Sequence, residues 1–173
     1  MSAAPDFVSA VAGYRAWQLG PDGFLFPLAL PAAPPWEPGA NRARCFARSP
    51  GVHAAPRPHC RCGFHALHDP CDTRLGLGHP AVGAIAAWGE IEVYAAGFRA
   101  EHASVVALAD PRSRGADPPA PLRAAARRYG VRIVAPDRLA AEASEFALPL
   151  PDEALPDRKA APRLTRTGDG ADR

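Results

Sequence analysis

From residue 31 to residue 59 the chain reads PAAPPWEPGANRARCFARSPGVHAAPRPH. Pro31, Pro34, Pro35, Pro38, Pro50, Pro56 and Pro58 recur too closely for a helix or a central strand to run through it. Its apolar runs are brief, so the segment reads as an ordered irregular loop wrapped over a core. A loop that long inside a compact domain needs something to pin it. The next twelve residues, CRCGFHALHDPC, hold three of the chain's four cysteines and two of its six histidines. Free cysteine is often buried as a small hydrophobe, but three of them among Arg, His, Gly and Pro make a poor core.

Zinc asks for four thiolate or imidazole ligands in a tetrahedron, commonly from two short knuckles joined by a loop. Cys60 and Cys62 form a C-x-C followed by Gly63, which frees the backbone to turn both sulfurs inward. Cys45 and His53 lie upstream, inside the loop that needs pinning. A Cys45, His53, Cys60, Cys62 site closes that loop onto the core, and ordering by metal is how irregular segments offset their entropy. Cys71, His59, His65 and His68 are competing ligands.

The remaining organisation is that of an α+β domain. VAGYRAWQL, the turn Gly20-Pro21-Asp22-Gly23 and FLFPLAL predict a hairpin, since Pro fixes φ and Gly accepts positive φ. VGAIAAWGEIEVYAAGFRAEHASVVAL, residues 82–108, predicts a second hairpin turning at AAG. In PLRAAARRYGVRIVA, Pro121 suits the first helical position and Gly130 the residue after the last. VRIVA follows as a strand, and DRLAAEASEFAL as a short helix capped by Asp137. The expected architecture is a mostly antiparallel sheet or small barrel with two short C-terminal helices, forming one domain over residues 1–148. From Pro149 to Arg173 the polar, proline-rich tail has no apolar period and reads as disordered.

Twenty Lys plus Arg against eighteen Asp plus Glu leave no strong field for nucleic acid or anionic membrane. Any such partner needs a local patch. Lys159 is the single lysine, and the abundance of Arg, Ala and Pro fits a coding sequence of high G+C content. The N-terminal MSAAPDFVSAVAGYRAW has no basic leader and no apolar run of membrane-spanning length. The expected location is therefore cytoplasmic, where cysteines serve as thiolate ligands or free thiols rather than disulfides.

The pattern GYRAWQL … PWEPG … C … H … P … CRCGFHA … WGEIEVYAAGFRAEHA, over roughly residues 13–108, resembles a set of small actinobacterial proteins with a Cys…His…C-x-C-G motif. That resemblance supports Cys45, His53, Cys60 and Cys62 as a unit and implies no activity. A narrower match is to the CDGSH-type iron–sulfur proteins, in which three Cys and one His hold a [2Fe–2S] cluster. Carried over by position, it implies Cys60, Cys62 and Cys71 as ligands and Asp72 as the motif's acidic residue. Thr73 stands where the glycine belongs and Leu75 where the histidine ligand belongs, with His79 four residues later.

No G-x-S-x-G, P-loop or H-E-x-x-H is present, and the carboxylates are spread singly. Glu90 and Glu92 alternate with Ile91 and Val93, marking the solvent side of a strand. A four-ligand metal leaves no open position to activate water. The expectation is a non-catalytic binding or adaptor module with structural zinc, its partner a protein or a nucleic acid and not a membrane. Two alternatives stand beside it: a small β-barrel that binds nucleic acid, and a [2Fe–2S] redox protein. The echo Gly13-Tyr14-Arg15-Ala16 and Gly97-Phe98-Arg99-Ala100 suggests Arg15 and Arg99 facing one anionic ligand, although chance repetition explains four residues as well. Arg44 and Trp36 complete the candidate ligand-binding set, Arg42 and Tyr14 also being available to phosphates and bases. Trp36, between prolines and Glu37, is expected at the surface, and Trp17 and Trp88 in the core.

Overall fold

The computed structural model describes residues 9–28, 33–46, 53–76, 78–110 and 117–156. Among these, seven strands form one mostly antiparallel sheet: β1 (Val11–Leu19), β2 (Leu25–Pro27), β3 (Asn41–Arg42), β4 (Phe64–Leu67), β5 (Ala81–Tyr94), β6 (Gly97–Ala109) and β7 (Arg132–Val134). Three helices accompany them, α1 (Thr73–Gly76), α2 (Ala120–Tyr129) and α3 (Leu139–Ala143). This is the expected α+β class.

Both predicted hairpins form. β1 and β2 pair from Trp17–Pro27 to Leu19–Leu25, across a tight turn where Asp22 (φ 56°) and Gly23 (φ 78°) are left-handed. Gly23 is required twice over, because a Cβ there would lie 2.4 Å from the backbone of Ala124 and Ala125 in α2. β2 is shorter than the apolar run FLFPLAL suggested; Ala29 and Leu30 lie outside the described residues. β5 and β6 pair from Val82–Ala109 to Tyr94–Gly97, with irregularities after Ala84 and between Trp88 and Ile91. β1 pairs with β5 from Val11–Ala87 to Trp17–Ala81, and β4 pairs with β6 from Phe64–Ala100 to Leu67–Gly97. A single Tyr14–Leu67 pairing joins β1 to β4, so β1, β5, β6 and β4 close a circuit.

Strand parity divides the core. On one face Trp17, Ile85, Ile91, Phe98 and Leu108 pack with Leu25, Trp36 and the Leu122, Ala125, Ala126 and Tyr129 stripe of α2. On the other, Tyr14, Val82, Ala84, Ala86 and Ala107 pack with Leu75, Leu139 and Ala143 of α1 and α3. Alanine on both sides of β5 and β6 lets helices approach closely, and the i, i+3, i+4, i+7 spacing of α2 points its buried stripe at the sheet.

α2 returns the chain to β7, parallel to β6, and Gly130 (φ 65°) ends it as expected. The helix starts at Ala120, so Pro121 is its second residue. Asp137 does not cap α3: Pro136–Arg138 form a 3₁₀ turn, because Pro136 already supplies the φ that starts it, and Arg138 precedes the helix. Leu148 hydrogen-bonds Ala10 and Ala12 beside β1. Beyond it, Leu150 is buried and Leu155 packs on the first core face, so residues 149–156 lie against the body. Residues 157–173 of the expected tail lie outside the described residues.

Trp36 is not at the surface: it is 3% exposed, edge-on to Trp17 at 5.5 Å and 4.6 Å from Phe64. Proline neighbours predicted exposure, but its N–H donates to the Leu25 carbonyl and its carbonyl accepts from Tyr129 Oη at 2.6 Å. The same phenol oxygen accepts the Leu25 N–H at 3.1 Å. Trp88, expected in the core, is only half-buried and stacks on His102 at 5.7 Å, because the irregularity after it breaks strand parity. Replacing Tyr129 by Phe unpairs two buried backbone groups at once. We expect a loss of about 2–4 kcal/mol, read as a lower urea midpoint with unchanged slope.

Candidate metal centre

The knuckle grows out of the chain just before β4. Ala55 and Pro56 are buried, the Cys60 N–H closes a turn onto the Arg57 carbonyl at 3.0 Å, and His59 takes a left-handed φ of 65°. Gly63 (φ 112°) then reverses the backbone into β4, where a Cβ would press within 3.1 Å of the Arg99 Cβ and 3.2 Å of the Pro56 Cβ. Cys45 comes from the other side. It follows β3, whose pairing with β6 is extended by the Ala43 N–H bond to the Glu101 carbonyl at 2.7 Å.

These elements bring together Cys45, His53, Cys60 and Cys62, whose ligand atoms all lie within 4.8 Å of one another. Cys45 Sγ is 3.6 Å from Cys60 Sγ, and His53 Nε2 is 3.3 Å from Cys62 Sγ. A tetrahedron with metal–sulfur bonds near 2.3 Å has sulfur–sulfur edges of about 3.8 Å. The observed spacings match such edges and are too long for a disulfide, and all four cysteines are free thiols. The Cys62 backbone N–H, with its side chain, brings the Cys60 thiol down to about 6. Burial, followed by the hydrogen bond with Cys60, pushes Cys62 up to about 11. The directions are opposite within the pair, and a metal ion bound here would need both sulfurs as thiolates.

Behind the knuckle sits Arg99, 5% exposed on β6. It donates to the Cys60 carbonyl and, at 3.2 Å, to the Cys62 carbonyl, and its other nitrogen holds Glu92 and the Tyr94 hydroxyl. One guanidinium therefore ties the ligand-bearing turn to both strands of the β5–β6 hairpin. Glu92, expected on a solvent face, is the half-buried counter-ion of this clamp, whereas Glu90 is exposed. The sequence pointed to Arg99 as a ligand-facing residue and missed its clamp role, whose partners lie up to 39 residues away.

The competing ligands go elsewhere. His65 donates Nε2 to the Arg61 carbonyl and His68 to the Tyr94 carbonyl, both at 2.9 Å; His59 is exposed. Cys71 is exposed at an open groove of about 180 Å³ beside Pro70, Leu75 and Leu139. Arg44 is exposed next to Cys45, and Arg42 pairs with Glu101 at 3.2 Å. Tyr14 and Phe98 fall in opposite core faces, so Arg15 and Arg99, each one residue later, leave the sheet on opposite sides.

Fold and site together define an α+β domain with a Cys3His group close enough to bind a metal ion. No family model, curated protein or solved structure matches the chain. No helix among the described residues is long and apolar enough to cross a membrane.

Proposed function

We propose that this chain is a non-catalytic binding module, cytoplasmic, whose proline-rich loop is stapled by one zinc ion through Cys45, His53, Cys60 and Cys62. The observation that carries this reading is the meeting of four soft donors within 4.8 Å. Three thiolates and an imidazole suit zinc, and a full set of protein ligands makes the ion structural rather than hydrolytic. A [2Fe–2S] cluster spreads its four ligands over two irons, wider than the edges of one tetrahedron, so the compact group favours a single ion.

Elemental analysis and a visible spectrum on protein purified without added metal test this directly. The expected result is one zinc per chain and no colour, with a strong chelator exposing residues 33–63 to protease. Iron with sulfide and a brown colour would replace the module with a redox protein.

A second reading, binding of nucleic acid, is favoured by the surface around the knuckle. Phe46 is 53% exposed, and Arg44, Arg57 and Arg61, next in sequence to Cys45 or close to Cys60 and Cys62, are exposed as well. Aromatic stacking with arginines on phosphates is how single strands are held. Oligonucleotide affinity that falls steeply with salt supports this partner; salt-independent capture of a protein supports the adaptor.

A further inference from the structure

Among the described residues, Arg15 has no carboxylate partner. Its guanidinium carbon lies 4.7 Å from the Trp36 ring centre and 5.4 Å from that of Trp17. Its Nε is buried with no hydrogen-bond partner. Burial lowers its pKa to about 10, the response of a desolvated cation that lacks a counter-ion.

His65 on β4 feels Arg15, Arg99 and Arg61 together, and these add to burial in holding its pKa below the ordinary value. Glu92, on the opposite side of the sheet with Arg99, is committed to that guanidinium. Stacking on indoles uses the faces of a guanidinium and leaves its in-plane N–H groups for an acceptor.

The place is also special in the fold. Along one edge, β1 pairs with β4 at Tyr14–Leu67 and with β2 from Trp17–Pro27, leaving Arg15 and Ala16 unpaired there among the described residues. The other edge is fully used, Arg15 opposite Gly83 and Ala16 opposite Val82. Arg15 therefore stands at a seam in the circuit of strands, over an aromatic floor.

We propose that Arg15 anchors a subsite for a small oxyanion, a phosphate or a carboxylate group, at this seam. The guanidinium supplies in-plane donors to two oxygens, as arginine does for planar or tetrahedral oxyanions, and Trp17 and Trp36 hold the fork in place. The subsite gives a ligand class to the binding reading above and shares no ligand residue with the metal centre.

Trp17 and Trp36 report on it. In a Trp88→Phe background, the zinc-loaded protein is titrated with sodium phosphate and, separately, sodium acetate, ionic strength being held with sodium chloride. The expected result is a saturable change in tryptophan fluorescence with one or both oxyanions, at least tenfold weaker in Arg15→Gln. The stronger arm identifies phosphate or carboxylate as the source. A flat titration, or the same curve in Arg15→Gln, overturns the subsite. If Arg15→Gln fails to fold, the ¹⁵N–¹H signal of the Arg15 Nε in the parent decides: it shifts on saturation with the oxyanion, and a signal that stays still overturns the proposal. Zinc measured on the same samples keeps the two readings apart, since full zinc without anion binding sinks only the subsite, and anion binding without zinc sinks only the staple.

Discussion

Cys62→Ser is expected to lose bound zinc and to lower the melting temperature by roughly 6–12 °C, whereas Cys71→Ser keeps both. The four donors converge from three stretches of chain around one point, Cys62 beside His53 and Cys60 beside Cys45. A serine oxygen in place of the Cys62 thiolate leaves three ligands and a partly buried gap. Apparent binding energies of structural zinc are about 10–16 kcal/mol, so a loss of about 3 kcal/mol in folding is a conservative share of it. Zinc by elemental analysis and a thermal scan at fixed protein concentration measure both effects. Cys71, exposed at the groove beside α1, is the control that separates this quartet from a cluster built on Cys60, Cys62 and Cys71. Zinc retained by Cys62→Ser, or lost from Cys71→Ser, would show that the ligands are assigned wrongly.

Arg99→Ala is expected to weaken zinc about 10–100-fold without removing a ligand, the usual cost of losing a group that orients the ligands. It strips the donors from the Cys60 and Cys62 carbonyls and leaves Glu92 without its counter-ion. Competition with a chromogenic chelator measures the affinity, and circular dichroism checks that the sheet persists. Arg99→Lys retains a charge but has no fork to span two carbonyls, a carboxylate and a phenol, so it restores only part. Adding Glu92→Gln to Arg99→Ala removes the stranded charge and should recover stability while leaving zinc weak. Unchanged affinity in Arg99→Ala would reduce the clamp to a neighbour of the site.

The hairpins and the C-x-C-G turn were legible because their signals are local. Gly20-Pro21-Asp22-Gly23 and the AAG turn dictate backbone conformation within a few residues, and C-x-C-G dictates a knuckle in the same way. The β4 strand was hidden because Phe64–Leu67 lies inside the histidine-rich run that drew attention as ligands, and its pairing partner is β6. Trp36 was misplaced for the opposite reason: its immediate neighbours are Pro34, Pro35 and Glu37, but its environment is made by Trp17, Phe64 and Tyr129, the last 93 residues away. Asp137 had the composition of a cap and lost the role to a proline turn one residue earlier. No local pattern states that Arg99 reaches Cys62, because that contact exists only after β6 has laid itself beside β4.

That last contact has a direction in time. All four metal ligands are translated before the β5–β6 hairpin, and Arg99 follows Cys62 by 37 residues. A chain growing from its N-terminus therefore carries all four candidate donors before the strand that bears Arg99 has been made. Were metal captured at that stage, Cys45, His53, Cys60 and Cys62 would already be drawn together when the hairpin arrives, and the Arg99 contacts to the Cys60 and Cys62 carbonyls would be the last to form.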